Sequence, residues 1–314
     1  MAAPPSALAT PSRTGLANHD DVILTGHTHA SAIRVLQWNV NRASGDRRLR
    51  QIEALTGGGV DLVVLTEVAA GSAAEEYLGA LSAAGLTGCA SSRDGVPGPP
   101  AADGRRRFGV VLASRWQLSS VAPITGAPWP ERTLDVVVAY PVRDIRVLAI
   151  YAPLGRHDTA KSETFEAAGS AIEQTAGPLI VTGDFNAPRW EGEDARGGPV
   201  LVTFGQRRLR SGGFGPRGHR QDLAERLVLD SSSLGLVDAY RTIHGYGVAV
   251  SSWSTIRSGR RWDYRLDHVL SRGGLEPIEA RYRQELREPV QGLPRLSDHA
   301  AIEATLKISS TGTR

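Results

Sequence analysis

Short apolar runs that stop abruptly on an acid, an amide or a phenol recur along this chain. Residues 181–186 read VTGDFN, a hydrophobic strand that breaks at Gly183 and ends on Asp184 and Asn186. VLQWNVN ends at Asn39 and Asn41, DLVVLTEV carries Glu67, and LAIYAP carries Tyr151. Near-continuous apolar runs of this length are strands covered on both faces, so helices or a second sheet must pack against them. Groups at the ends of such strands can converge in a twisted sheet although they are far apart in sequence.

The intervening segments fix the layering. Residues 33–38, 61–68, 108–113, 134–140, 144–151 and 179–182 read as strands, and 48–55, 73–84, 162–175 and 222–229 read as helices. The pair 134–140 and 144–151, separated by a turn at 141–143, is a hairpin and demands antiparallel pairing. Strands at 266–271, 278–282 and 300–308 close the chain, whereas 188–218 is Gly/Arg-rich with little periodicity. Helices alternating with strands that also form hairpins exclude a uniform βαβ winding. The expected fold is α/β, a mixed sheet with helices outside or two such sheets packed face to face.

At 314 residues the chain can fill one large domain or two smaller ones. The reading adopted is a flexible leader over 1–32, one catalytic domain over 33–308 with a Gly/Arg-rich insertion near 189–220, and a tail over 309–314. A single cysteine, Cys89, excludes an internal disulfide framework and a cysteine-based zinc cluster. No run approaches the roughly 18 apolar residues of a membrane span. The Ala/Pro/Ser/Thr-rich leader lacks the basic start and apolar core of a signal peptide, so a cytoplasmic monomer is the default expectation.

With 36 basic and 33 acidic residues the formal charge is only +3, too small to imply a polyanion partner by itself. Its distribution says more. Almost all the basic residues are arginine, whose planar fork of donors suits phosphate. Clusters at Arg105–Arg107, at Arg207, Arg208 and Arg210, and at Arg257, Arg260 and Arg261 fall in segments read as loops. An arginine-biased solvated surface accounts for each cluster taken alone.

Glu67 ends a buried strand, where a carboxylate is costly without a cation or donors, and a hard oxygen ligand there suits Mg2+ or Mn2+. Alone, it reads equally as an acid capping the next helix. Asp184 and Asn186 are two apart, so in an extended segment both face one side. An acid there can orient and deprotonate a water while the amide donates to a phosphate oxygen; a plain Asx turn is the competing reading. In Asp267–His268 and Asp298–His299 adjacent side chains diverge along a strand. The workable arrangement therefore pairs His299 with Asp267, leaves Asp298 to a metal or its water, and makes His268 a packed histidine. His27 and His29 have metal-like spacing but read as incidental loop histidines.

Taken in order, LQWNVN, VLTEV, ER (Glu131, Arg132), YAP, GDFNAP, RLDHVL and LSDH resemble the endonuclease/exonuclease/phosphatase superfamily. The resemblance implies a four-layer α/β sandwich of two packed mixed β-sheets flanked by helices. It implies that Glu67 binds the catalytic metal with help from Asn39, Asn41 and Asp298. Asp184 would activate the attacking water and Asn186 would hold that water or a phosphate oxygen. Tyr151 and Arg132 would contact the phosphate, and His299, oriented by Asp267, would stabilise the transition state. Two positions depart from the family pattern: Thr66 stands where glutamine is common, and Leu154 follows YAP where abasic-site enzymes carry asparagine. Arg156 and His157 are the residues placed to compensate.

The expected activity is divalent-metal-dependent phosphodiester hydrolysis, with DNA as the first choice of partner and endonuclease or exonuclease action both open. Arg156, Arg207, Arg208 and Arg210 are the candidate backbone contacts. Trp129, Trp190, Trp253 and Trp262 are candidates for base stacking. A phosphoesterase acting on a small phosphodiester or lipid phosphate is the alternative, and a non-enzymatic DNA-binding relative is a third reading.

Overall fold

The computed structural model describes residues 32–94, 108–210, 214–289 and 294–309. In chain order, the first half contains β1 (Ala32–Asn39), α1 (Gly45–Thr56), β2 (Leu62–Ala69), α2 (Ser72–Ala83), β3 (Gly88–Ser91) and β4 (Phe108–Ser114). There follow β5 (Leu118–Ala122), β6 (Thr133–Val138), β7 (Ile145–Tyr151), α3 (Asp158–Glu173) and β8 (Leu179–Asp184). Two short hairpins come next, β9 (Trp190–Glu193) with β10 (Pro199–Val202) and β11 (Gln206–Arg208) with β12 (Phe214–Pro216). The chain then forms α4 (His219–Leu229), β13 (Val237–Asp238), α5 (Ala239–His244), and a third hairpin of β14 (Trp253–Arg257) and β15 (Arg260–Tyr264). It closes with β16 (Asp267–Arg272), β17 (Leu275–Arg283) and β18 (Ala301–Ile308).

These strands build two six-stranded mixed sheets, ordered β17-β18-β1-β2-β4-β3 and β13-β16-β8-β7-β6-β5. Each sheet has one parallel pair at its centre, β1 with β2 and β7 with β8, and its other neighbours run antiparallel. The two-residue period of a strand divides the side chains between layers. Val35, Val64 and Leu112 from one sheet meet Val136, Val147 and Ile180 from the other in the central core. The alternate residues point outward: Leu36, Val63 and Leu65 pack on Leu55, Tyr77 and Leu81 of α1 and α2. On the far side Leu148, Ile150 and Val181 pack on Phe165, Ile172 and Val228 of α3 and α4. Both faces of the central strands are covered, which is why their sequences run apolar without alternation. The result is the helix–sheet–sheet–helix sandwich expected from the sequence.

Two local features are not legible in the sequence, and a third, Gly183, reads there as leaving room for a tight turn or close backbone approach. The stretch 188–218 carries two hairpins whose strands of three or four residues are too short to show a period. The β14–β15 hairpin turns through Ser258 and Gly259, both at positive φ (49° and 72°), the two-residue turn that matches strand twist. Gly183 lies at φ 143°, and a Cβ there would sit 1.9 Å from the Ile150 carbonyl oxygen of β7, so only glycine allows β8 to dock beside β7. No helix among the described residues is long and apolar enough to cross a membrane. His27, His29, residues 95–104 and the cluster Arg105–Arg107 lie outside the described residues.

Candidate active site

The two parallel pairs deliver the site. The carboxyl ends of β1, β2, β7 and β8 carry Asn39, Glu67, Tyr151 and Asp184 to one edge of the sandwich. β16 runs antiparallel to β8 and starts at that edge, so Asp267 lies in register with Asp184. Asp298 and His299 arrive on the segment leading into β18. Tight hydrogen bonds cross from sheet to sheet here: Gln37 Nε2 donates to Asp267 Oδ1 (3.0 Å), Asn39 Nδ2 to Asp184 Oδ2 (2.8 Å), and the Tyr151 hydroxyl to Glu67 Oε1 (2.9 Å).

Glu67 reaches the cleft because β2 breaks register against β4 between Leu65 and Val68, with Glu67 at φ 56°. A bulge of this kind re-aims a side chain that a regular strand would bury. Its second oxygen lies 3.3 Å from Arg42 Nε. The Tyr151 ring lies beneath the Arg132 guanidinium (4.4 Å), which also covers Trp129 (4.6 Å). Burial, then the nearby Glu67 charge, hold the Tyr151 hydroxyl well above its ordinary range, so it remains a donor.

Asp184 is 1% exposed. Besides the Asn39 bond, its Oδ1 accepts from the Asn186 backbone N–H at 2.9 Å. Burial and the neighbouring Asp267 push its carboxyl up to about 7, against the opposing pull of His299. Asn186 does not reach the cleft by strand alternation. β8 ends at Asp184, Asn186 adopts φ 49°, and its Nδ2 donates to the Ala152 carbonyl (2.8 Å). A tight turn therefore replaces the extended geometry inferred from the i, i+2 spacing.

His299 Nδ1 lies 2.7 Å from Asp267 Oδ2. Burial alone would lower the imidazole, but Asp267 more than offsets it and holds the ring charged up to about 10. His268 lies on the other side of its strand, stacked on Phe185 (5.0 Å), with Nε2 2.8 Å from the Ala187 carbonyl. Asp298 Oδ2 accepts from Trp253 Nε1 at 3.0 Å, while its Oδ1 is buried with no hydrogen-bond partner among the described residues. Glu67, Asp184, Asn186, Asp298 and His299 all line one cavity of about 420 Å³. The ligand atoms of Asp184, Asp267 and His299 lie within 4.8 Å of one another, a buried set able to coordinate a metal ion once the imidazole gives up its proton.

Asn41 also lines that cavity, whereas Asn39, Arg132 and Asp267 stand behind its walls. Arg207 and Arg210 are exposed on the β11 arm and do not reach the cavity. The side chains of Arg156 and Arg208 lie outside the described residues. The supporting roles of four residues escape the sequence reading, which marks Trp253 for base stacking only. Gln37 alternates with Asn39 on β1, a signal that was there to use. Arg42 beside Glu67 and Trp253 beside Asp298 come from loop or hairpin positions without a pattern. Lys161 is the fourth: on α3 and fully buried, its Nζ donates to the Asn186 carbonyl (2.7 Å) and pairs with buried Glu225 (2.9 Å).

A two-sheet sandwich that gathers acids, amides and an imidazole in a metal-capable cluster is the framework of a metal-dependent phosphodiesterase, a hydrolase of nuclease-like build. The family model described as "Endonuclease/Exonuclease/phosphatase family" matches residues 36–299, and the chain belongs to that family. An AP endonuclease from Archaeoglobus fulgidus is similar in structure at 18% identity, with a TM-score of 0.62, over 88% of this chain and 100% of that one. The 3'-5' exonuclease NExo from Neisseria meningitidis is similar at 21% identity and TM-score 0.59, over 87% and 98% of the two chains. D. rerio TDP2 complexed with single strand DNA product is similar at 14% identity and TM-score 0.60, over 88% and 99%. These likenesses show the fold. No curated protein matches the chain significantly by sequence.

Proposed function

We propose that this protein is a divalent-metal-dependent phosphodiester hydrolase that acts on DNA by direct in-line attack of water. The observation that carries the proposal is one cavity holding three complementary parts: a braced acid, a charged imidazole and unspent carboxylate oxygen. Glu67 and Asp298 would hold Mg2+ or Mn2+, with Asn41 at the same wall. The buried, unpartnered Asp298 Oδ1 is the kind of hard oxygen such an ion satisfies. The bound ion would supply charge neutralisation at the phosphate and leaving oxygen.

The chain's own groups would do the rest. Asp184, with both oxygens fixed by Asn39 and Asn186, is set to orient and deprotonate a water, and its raised carboxyl makes it a competent base near neutrality. Asn39, spent on Asp184 and on the Asn41 backbone N–H (2.9 Å), would brace the base as well as sit near the ion. His299, with Nδ1 committed to Asp267, presents Nε2–H to a non-bridging oxygen as charge develops there. Tyr151, its ring clamped by Arg132, and Asn186 would contact the phosphate. No side chain is needed as a nucleophile.

Of the similar structures named above, one holds a single strand DNA product and the others are an AP endonuclease and a 3'-5' exonuclease, which supports DNA as substrate. We place residues 33–308 in one catalytic domain, read 189–220 as its insertion, and assign Arg156, Arg207, Arg208 and Arg210 to backbone contacts. Monomeric, cytoplasmic protein is the working assumption. The test is a panel of plasmid, linear, single-stranded and abasic DNA, RNA, and small phosphodiesters, each with magnesium, manganese and chelator. Metal-dependent cleavage of DNA is expected. Turnover of small esters with none on any nucleic acid would transfer the site to a small-molecule or lipid phosphoesterase, and binding without turnover would make it a non-enzymatic relative.

A further inference from the structure

We propose that a basic, aromatic groove beside the catalytic cavity is a binding subsite for single-stranded nucleic acid. The inference rests on the phosphodiesterase reading of the adjoining cavity and adds what approaches it. The groove has a volume of about 490 Å³ and is walled by Arg189, Arg217, Arg257 and Arg260 together with Trp262 and Tyr264. Arg257, Tyr264 and Phe204 line this groove and the catalytic cavity alike, so the two are contiguous.

The charge of the groove is uncompensated. No acidic residue lines it, and none of the four arginines forms an ion pair among the described residues. Asp263, the acid nearest in sequence, is taken by Arg261 at 2.9 Å. Arg189 spends one N–H on the Gln206 carbonyl (3.3 Å), and Arg260 lies over the Trp262 ring at 5.0 Å. Elsewhere arginines such as Arg146, Arg220, Arg241 and Arg265 are neutralised by carboxylates. Four unneutralised guanidinium groups around one concavity repel each other, and a polyanion relieves that repulsion.

The aromatic wall selects among polyanions. Trp262 is 37% exposed and carries the Arg260 guanidinium over one face of its ring, a stacked pair whose planar groups can take an unpaired base. Bases within a duplex have both faces occupied by their neighbours, so a duplex can use the arginines but not the ring. Size adds a second criterion. β14 starts at Trp253, which donates to Asp298, and ends at Arg257 in the groove. Its five residues span about 13 Å at roughly 3.3 Å per residue, or roughly four nucleotides at the 3.4 Å rise of a stacked strand and fewer in an extended one. A small phosphodiester on Asp184 cannot reach that far, whereas a strand can.

The test measures binding of a fluorescein-labelled oligothymidylate of about 12 nucleotides and of a hairpin duplex, by anisotropy in chelator so that no turnover intrudes. Wild type is expected to prefer the single strand. Trp262→Ala should weaken the single strand by roughly 5- to 150-fold, Trp262→Phe by less, and neither should alter the duplex. Arg257→Gln/Arg260→Gln should reduce the log-affinity versus log-salt slope for the single strand by about 1.4. Unchanged single-strand binding in Trp262→Ala, or equal losses on both probes, would reduce the groove to a general polyanion surface and overturn the subsite. Failure of wild type to bind the oligothymidylate would overturn it too. Hydrolysis of a small phosphodiester by wild type with manganese, run in parallel, reports on the catalytic reading alone, so each idea can fail separately.

Discussion

Lys161→Met removes the cation that fastens the Asn186 turn to the outer helices. Both Lys161 and Glu225 are 0% exposed, and the Glu225 carboxylate has no water to replace the lost ammonium. Removing one partner of a buried pair costs about 3–5 kcal/mol, because the other charge is left uncompensated. Gln221 Nε2 (2.7 Å) and the Phe204 N–H (3.2 Å) still reach Glu225 and hold the cost within that range, while the Asn186 carbonyl loses a donor as well. At about 2 °C per kcal/mol for a domain of this size the melting temperature should fall by roughly 6–10 °C. Urea melts followed by circular dichroism measure the loss directly. Lys161→Met/Glu225→Gln, which removes the stranded charge but keeps an acceptor for Gln221 and Phe204, should recover most of the stability. Its phosphodiester cleavage should stay depressed, because the Asn186 carbonyl still lacks the donor that Lys161 supplied. A loss below about 1 kcal/mol in Lys161→Met, or a double variant no more stable than the single, would refute the reasoning.

The remaining predictions concern the cleft and its rim. Glu67→Gln and Asp184→Asn should keep the fold yet lose most metal-dependent cleavage, and single-turnover kinetics at wild-type rates in both would remove them from the proposed mechanism. His299→Ala should slow the chemical step by roughly 100-fold or more while substrate still binds, with Asp267→Asn reproducing part of the loss. In chelator, the folded-state pKa of His299, raised to about 10, makes its stabilising contribution complete below about 6.5 and lost as pH rises toward 10. The stability gap between wild type and His299→Gln, read from urea melts, should therefore narrow with rising pH; a constant gap would show that His299 and Asp267 are not an ion pair. Replacing Arg207, Arg208 and Arg210 with neutral residues should lower the salt slope of DNA binding by roughly 1 per lost contact, and an unchanged slope would leave the β11 arm as an ordinary charged loop.

Much of this site was legible because strand-end residues are set by long-range rules that also act on sequence. The pairing of His299 with Asp267, and the exile of His268, follow from the divergence of adjacent side chains on a strand. The location of Glu67 was legible as the end of a buried run, but the bulge that aims it was not, since a register break depends on the partner strand. Asp184 and Asn186 were joined correctly for a geometric reason that does not hold: the chain turns at Asn186 instead of continuing extended. Lys161 and Arg42 left no trace, because a single lysine in a helix or arginine in a loop has many solvated explanations. The Ser258–Gly259 turn was present in the letters, but its flanking strands are polar on their exposed faces and lack the apolar alternation that would announce them.

The hydrogen bonds that cross between the sheets also act as an alignment gauge. Gln37 to Asp267, Asn39 to Asp184 and Tyr151 to Glu67 join residues 230, 145 and 84 positions apart. A slip of one residue in any central strand would reverse the faces of its side chains and disconnect the cleft at several points together. Contacts this distant slow folding, because the long loop between the partners must be closed to make them. β18, which pairs with β1 from Ala32↔Lys307 onward, begins two residues after His299, so the first described strand is completed by the last. Until residues 267–308 have paired, neither Asp267 nor His299 stands beside Asp184, so the cleft proposed for hydrolysis is complete only when the last segments have docked.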